Sequence, residues 1–200
     1  MEFVKEFATF LHQNGIIKFG DFTLASGKKS PYYVDLRLVA SYPHQYRRMI
    51  KHLQNMITEK MGLDSFDAIA SVPTGGLVIA SSLAFEILKP LVYARSEAKA
   101  HGTGKLVEGV VKKGMKLLLV DDVATTGGSV INGIKALRDS GAEITDAFVI
   151  VDRLEGAEDA MKKDGVTLHH LIDILEIAKI LHEQGLIEKS VLDSVQSRVS

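Results

Sequence analysis

The segment with the most chemical potential is 116–129, which has the sequence KLLLVDDVATTGGS. Its apolar run, 117–120, has the length and composition of a parallel strand covered on both faces. Asp121 and Asp122 follow at the carboxyl end of that strand, where open α/β sheets bind their ligands. A glycine-rich turn comes next, and Ser129 is predicted to be the N-cap of the following helix. This order of elements predicts a sugar-phosphate site.

The two halves of this segment suit opposite partners. Adjacent carboxylates repel a phosphate, but they accept hydrogen bonds from vicinal hydroxyls and attract a divalent cation. We therefore expect Asp121 and Asp122 to hold a ribose and a metal ion. The turn 125–129 has no carboxylate and precedes a helix, whose positive end favours a phosphate. The alternative is a buried strand followed by an acidic turn and an ordinary helix cap.

Composition limits the classes of protein to consider. The chain has 200 residues, 46% of them hydrophobic, which suits one domain with a small appended lobe. The formal net charge is −1, so no bulk field favours nucleic acid or an anionic membrane. The absence of cysteine excludes disulfides and thiolate sites and is consistent with a reducing compartment. With no signal-peptide pattern and no long apolar run, we expect a soluble, cytoplasmic protein.

Hydrophobic periodicity predicts an α/β fold. Residues 2–13 have the pattern of an amphipathic helix, and 19–37 have that of a hairpin outside the main sheet. Pro43 is expected to begin a helix that ends near Met61. Strands are then predicted at 68–72, 91–94, 117–120 and 144–151. A helix is predicted after the first and the third of them, a polar stretch between the second and the third, and helical spacing again from residue 172. This alternation indicates a right-handed parallel sheet.

The sequence VDDVATTGGS resembles the phosphoribosyl-pyrophosphate (PRPP) motif of the type I phosphoribosyltransferases. The resemblance implies that family's fold, a parallel central sheet flanked by helices with a small N-terminal hood. It would make residues 1–200 a single domain, with a hood at roughly 1–40 and a core at 41–200. It also implies Mg²⁺ at Asp121 and Asp122, directly or through water and PRPP. The implied PRPP contacts in this motif are Asp121, Asp122, Val123, Ala124, Thr125, Thr126, Gly127, Gly128 and Ser129.

The hairpin resembles the amino-terminal signature of the orotate phosphoribosyltransferases, F-x-L-x-S-G-x-x-S-P-x-Y followed by an aspartate. The matching residues are Phe22, Leu24, Ser26, Gly27, Ser30, Pro31, Tyr33 and Asp35. The resemblance implies that Ser26 and Tyr33 contact orotate, and an aromatic face suits a flat pyrimidine. The alternative is an exposed edge hairpin with lysines that prevent aggregation.

The polar stretch 95–109 resembles the mobile catalytic loop of the same family. Arg95, Lys99 and His101 are implied to bind PRPP, and Lys99 and His101 to act in catalysis on the departing pyrophosphate. In the family the loop reaches into a neighbouring active site, which implies a homodimer with shared sites. The alternative is a solvated loop between strands, which composition alone favours.

Two further segments follow predicted strands. Thr74 and Gly75 lie in a turn, 71–76, that matches the family's pyrophosphate loop in position, although it could be a simple β-to-α turn. Arg153 resembles the arginine that receives orotate, and its planar fork suits a carboxylate. Thr125 is expected to orient the orotate ring beside it. The alternative for Arg153 is an ordinary surface charge.

Two positions depart from the usual bacterial pattern. Ala25 and Ser96 each stand where many members have a lysine, so two cations expected near pyrophosphate are absent. The histidines show no spacing typical of a transition-metal site, which leaves Mg²⁺ as the expected ion.

The resemblance as a whole implies transfer of a phosphoribosyl group from PRPP to orotate, with release of pyrophosphate, in pyrimidine biosynthesis. The implied partners are orotate, PRPP and a second copy of the chain, with no nucleic acid and no membrane. Two alternatives stay open: a purine or xanthine phosphoribosyltransferase, and a regulator of the same fold that binds PRPP as a signal.

Overall fold

The computed structural model describes residues 2–23, 27, 29–95 and 106–199. The predictions for Ser26, Lys99 and His101 lie outside the described residues, as do the two departures at Ala25 and Ser96. In the part of the chain that the structure describes, no helix is both long and apolar enough to cross a membrane.

Helices and strands alternate along most of the chain. The helices are α1 (Glu2–Gln13), α2 (Pro43–Lys60), α3 (Gly75–Glu86), α4 (Gly128–Asp139), α5 (Ala157–Lys163), α6 (Ile174–Glu183) and α7 (Lys189–Val199). The strands are β1 (Ile17–Thr23), β2 (Lys29–Val34), β3 (Ala68–Ser71), β4 (Leu91–Ala94), β5 (Val107–Glu108), β6 (Leu117–Ala124), β7 (Asp146–Asp152) and β8 (Thr167–Asp173). Short 3₁₀ helices occupy Leu36–Ser41 and Leu63–Ser65.

Among the described residues the central sheet has the strand order β5-β4-β3-β6-β7-β8. The strands from β4 to β8 in this order are parallel, which confirms the predicted parallel α/β sheet. The short β5 corrects the prediction at one edge, because it pairs antiparallel with β4. The strands β1 and β2 form a separate antiparallel hairpin, as expected. The division into a hood and a core stays a prediction.

The alternation of side chains along β6 explains the layers on either side of the sheet. Leu118 and Val120 belong to the hydrophobic cluster shared with α1, α2, α3 and α6. Leu117 and Leu119 belong to the cluster shared with α4 and α5. Both faces of this strand are therefore covered, which is why its sequence is a continuous apolar run.

Three elements differ from their predictions. Strand β6 continues to Ala124, four residues beyond the predicted end, because its pairing with β7 extends to the Ala124–Asp152 pair. Helix α5 and strand β8 were not predicted. Strand β8 contains polar residues that a buried strand would lack, and His169 among them is stacked on Phe148 with its Nε2 2.8 Å from Asp146 Oδ1.

The register of the parallel strands determines where the chemical groups meet. The carboxyl ends of β3, β6 and β7 lie at Ser71, Ala124 and Asp152, at one edge of the sheet. Ser71 Oγ donates a hydrogen bond to the carbonyl of Val120 at 2.8 Å, which ties β3 to β6 just before the acidic pair. The turns that follow these strands therefore open into one crevice.

Candidate active site

The acidic pair lies against the amino-terminal turn of α3. Asp121 is buried, with 6% of its surface exposed, and its Oδ1 accepts a hydrogen bond from the backbone N–H of Asp122 at 2.9 Å. A Cβ atom added to Gly76 would lie 2.0 Å from Asp121 Oδ1, and one added to Gly75 would lie 1.9 Å from Asp122 Oδ2. Only glycines at these two positions allow the carboxylates to approach the backbone this closely.

Burial favours the protonated form of Asp121. Desolvation, and then the neighbouring charge of Asp122, raise the pKa of Asp121 well above its usual value of 3.8. A cation brought beside the pair would offset that cost, because it favours the ionised form of both carboxyl groups. The arrangement therefore suits a cationic or hydroxyl-rich ligand.

The turn after β6 leads into α4 through a glycine in the left-handed region. Gly127 has φ +79° and is the N-cap of α4, so the prediction that Ser129 is the N-cap was wrong. A left-handed backbone favours glycine over serine, which places the start of the helix two residues earlier. Thr126, Gly128 and Ser129 are exposed at this helix start. Their N–H and hydroxyl groups can bind a phosphate.

The second predicted anion loop meets the acidic pair. Thr74 is the N-cap residue of α3, and Gly75 begins that helix in contact distance of the Asp122 carboxylate. Arg95 follows β4 at the same edge of the sheet, and its Nη1 is 3.3 Å from Glu108 Oε1. The structure thus brings Thr74, Gly75 and the PRPP-like segment together, with Arg95 on the adjoining strand.

Arg153 is buried, with 8% of its surface exposed, so its alternative interpretation as a surface charge was wrong. Its backbone N–H donates to the carbonyl of Ala124 at 3.0 Å, which places it beside the turn that begins at Thr125. Its Nη2 is 2.8 Å from Glu155 Oε1 and 3.4 Å from Ser30 Oγ. Its Nε is buried and has no hydrogen-bond partner among the described residues. An unpaired buried donor at the crevice suits a ligand carboxylate.

Successive side chains of β2 lie on opposite faces of the hairpin. Tyr33 is 38% exposed, and its ring centroid lies 5.8 Å from that of Phe22. Tyr32 is fully buried, and the Cζ atom of Arg153 lies 4.9 Å from the centroid of its ring. The structure therefore leaves Tyr33 accessible to a ligand and makes Tyr32 a support for Arg153.

Sequence reasoning missed several residues of the site. Arg37 forms a bidentate pair with Asp35, at 2.6 and 2.8 Å, and this hydrogen bonding is the main cause that raises its pKa. The charge of Asp122 adds to that rise. Glu155 and Arg198 were also missed. Glu155 could have been noticed in the sequence because it lies two residues after Arg153. No local sequence pattern identifies Arg198 as part of the site.

The donor set can be compared with what Mg²⁺ requires. In residues 2–23, 27, 29–95 and 106–199, no cluster of three or more His, Cys, Asp or Glu side chains could hold a metal ion. Asp121 and Asp122 supply carboxylate oxygens from one side only. Mg²⁺ is commonly bound by one or two carboxylates together with water and substrate phosphates, so this pair fits such a shared site.

Comparison with known proteins agrees with this geometry. The model of the phosphoribosyl transferase domain family matches residues 44–180. The orotate phosphoribosyltransferase of Cenarchaeum symbiosum is 55% identical over 198 residues, which cover 99% of this chain and 99% of that protein. This chain belongs to the orotate phosphoribosyltransferase family.

Further orotate phosphoribosyltransferases agree in sequence and in structure. The protein of Pyrococcus horikoshii is 42% identical over 179 residues, covering 90% of this chain and 95% of its own length. The crystal structure of orotate phosphoribosyltransferase from Aeropyrum pernix superposes with a TM-score of 0.76 at 38% identity. The superposition covers 90% of this chain and 99% of the Aeropyrum pernix chain. The family assignment confirms the predicted phosphoribosyltransferase fold.

The raised pKa of Asp121 predicts how stability depends on pH in the ligand-free protein. Between 3.8 and the raised folded-state value, the folded protein holds a proton that the unfolded chain has released. Stability should therefore fall as pH rises through this window. Asp121→Asn, which resembles the protonated carboxyl group, should raise Tm near neutral pH, and the gain should shrink toward pH ~4.

Thermal unfolding of both proteins across pH, with EDTA present, measures this difference. The control is Asp139→Asn, at an exposed position of α4. A gain for Asp121→Asn that is constant with pH, or that grows as pH falls, would contradict the assigned protonation of Asp121.

Proposed function

We propose that this protein transfers the phosphoribosyl group of PRPP to orotate, forming orotidine 5′-monophosphate and pyrophosphate in pyrimidine biosynthesis. The observation that carries the proposal is the position of Arg153. It is a buried arginine with an unpaired donor, one backbone hydrogen bond away from the PRPP-like segment. The family membership of the chain supports the same reaction.

The reaction joins a ring nitrogen of orotate to the anomeric carbon of ribose while the bond from that carbon to the pyrophosphate oxygen breaks. Positive charge develops on the ribose in the transition state. In this proposal Asp121 and Asp122 accept hydrogen bonds from the ribose hydroxyls, and their negative charge stabilises the positive charge on the ribose. The turn 125–129 anchors the 5′-phosphate, and the turn with Thr74 and Gly75 receives pyrophosphate. Fixing both reactants in one crevice lowers the entropic part of the barrier.

The proposal includes a bound Mg²⁺ ion. Asp121 and Asp122 would hold the ion together with oxygens of PRPP. When bound, Mg²⁺ neutralises charge on the departing pyrophosphate. The hydroxyls of Thr125 and Thr126 and the N–H groups of the turn then bind the phosphate at the other end of the substrate.

Two other functions were considered from sequence. A purine or xanthine phosphoribosyltransferase would share the segment 121–129 but has no use for a carboxylate-binding Arg153. A regulator that senses PRPP would need to bind PRPP but has no need of a buried arginine beside that site that can receive a substrate carboxylate. The contacts of Arg153 favour orotate over both.

A substrate panel tests the proposal directly. The protein is incubated with PRPP, Mg²⁺ and one of orotate, uracil, hypoxanthine, xanthine or guanine, and the pyrophosphate released is measured. We expect turnover with orotate and little with uracil, which lacks the carboxylate. Turnover of a purine without turnover of orotate would overturn the substrate assignment.

Removal of the Arg153 side chain should separate the two substrates. Losing a charged hydrogen-bond partner costs about 1.5 to 3 kcal/mol. Arg153→Ala should therefore raise KM for orotate by roughly 10- to 150-fold and leave KM for PRPP nearly unchanged. Lys163→Ala, which removes an exposed cation of α5, is the control. An equal rise in KM for both substrates would show that Arg153 is not part of the base site.

We also propose a cytoplasmic homodimer in which Lys99 and His101 act in the neighbouring active site. The outer face of α3 supports an association of subunits, because it exposes Val78 at 42% and Phe85 at 82% of their surfaces. Exposed apolar side chains grouped on one helix are typical of an interaction surface.

Subunit mixing tests the shared site. Lys99→Ala and Asp122→Ala proteins should each be nearly inactive. A mixed dimer would contain one site with both lesions and one with neither, so about half of the heterodimer's sites should work. Activity should return when the two variants are mixed under exchange conditions. Heterodimers that form and stay inactive would show that Lys99 serves its own subunit.

A further inference from the structure

Glu155 is the centre of a buried cluster of charged side chains, which includes Arg153. The proposed reaction does not itself require the Glu155 carboxylate. Its side chain is only 10% exposed. Its Oε1 lies 2.8 Å from Arg153 Nη2 and 3.0 Å from the Tyr32 hydroxyl, and its Oε2 lies 3.2 Å from Arg198 Nη2. One carboxylate thus joins the hairpin, the segment after β7 and helix α7.

The charge of this cluster depends on Arg198. A buried pair of Arg153 and Glu155 alone would be neutral, and Glu155 would compete with a substrate carboxylate for the guanidinium. Arg198 adds a second positive charge on the opposite oxygen of Glu155. The cluster then carries a net charge of +1, which is what an anionic base requires of its site.

The geometry of Arg153 also depends on Glu155. The carboxylate engages Nη2 while the Tyr32 ring lies against Cζ at 4.9 Å. The Tyr32 hydroxyl can donate to Glu155 Oε1 or, at 3.2 Å, to the backbone carbonyl of Arg153. Desolvation by burial is the largest cause that raises the pKa of Tyr32 to about 12, so this hydroxyl stays a donor at neutral pH. These contacts fix the guanidinium and leave its buried Nε without a partner among the described residues.

Other charges near Arg198 lie on the solvent side. A cleft of about 510 Å³ between the hairpin and α7 is lined by Asp21, Lys29, Asp193 and Arg198. Asp21, Lys29 and Asp193 are exposed, so water and salt screen their effect on the base site. Glu155 and Arg198 are more enclosed, with side chains 10% and 29% exposed, and through them α7 can act on Arg153.

We propose that Glu155 and Arg198 are positioning residues for the base site: Glu155 orients Arg153, and Arg198 offsets the charge of Glu155 so that Arg153 attracts an anionic base. This inference rests on the proposed function and adds to it a role for α7 in recognition of the substrate carboxylate. Neither residue need touch orotate.

A pair of variants separates charge balance from general structural support. Arg198→Met keeps a long side chain and leaves Glu155 to neutralise Arg153, so KM for orotate should rise roughly three- to tenfold. KM for PRPP should stay within about twofold, because Arg153 is joined to the PRPP segment by a backbone hydrogen bond to Ala124, which this variant keeps. The double variant Arg198→Met with Glu155→Gln restores the net charge of +1 and keeps an amide oxygen for Arg153. Its KM for orotate should return to within about threefold of the parent value.

The matched control is a surface Arg–Glu pair, Arg48 and Glu6, which joins α2 to α1 away from the crevice. Arg48→Met, alone and with Glu6→Gln, should change neither KM. Far-ultraviolet circular dichroism and Tm confirm that each variant is folded.

Three results would overturn the inference: a folded Arg198→Met protein with unchanged KM for orotate, equal rises for orotate and PRPP, or a double variant more impaired than the single one. The last would mean that the two residues only stabilise the fold. A parent protein that uses PRPP with another base and never with orotate would instead overturn the proposed function, and this inference with it.

Discussion

The close contact between the end of β6 and the start of α3 determines the rest of the active site. The carboxylates of Asp121 and Asp122 lie where Cβ atoms of Gly76 and Gly75 would otherwise be, at 2.0 and 1.9 Å. This contact brings the acidic pair against the positive end of a helix, which offsets part of the cost of burying negative charge. It also fixes the distance between the turn proposed to receive pyrophosphate and the strand whose carboxylates are proposed to bind the ribose. Any change that separates the two elements would alter both binding sites together.

A second set of contacts builds the base site by different means. There the central group is a cation, Arg153, and the side chain of Glu155 balances its charge. The sugar-phosphate side therefore depends mainly on backbone geometry, whereas the base side depends on a buried network of Tyr32, Arg153, Glu155 and Arg198. The backbone hydrogen bond from Arg153 to Ala124 joins the two sides.

The sequence predicted those features that depend on local patterns. The apolar run of β6 and the helix that begins at Pro43 follow from periodicity and from proline at a helix start, and the structure confirms both. Local sequence patterns did not predict the features that depend on contacts between residues far apart in the sequence. Strand β8 carries His169 and His170 because an edge strand tolerates polar side chains that pair with Asp146 and Asp152. Arg198 lies 43 residues after Glu155, so no spacing rule could join them. The N-cap at Gly127 was missed because its left-handed backbone outweighs the preference for serine.

The division of the proposed site between different elements has an evolutionary consequence. In the proposal, the hairpin and α7 shape the base site, while β3, β6 and the amino termini of α3 and α4 shape the sugar-phosphate site. Substitutions in the first group can change which base is accepted without disturbing the chemistry at the anomeric carbon. The fold therefore separates the part of the protein that selects a substrate from the part that activates it, and a new specificity can arise by mutation of one layer while selection preserves the other.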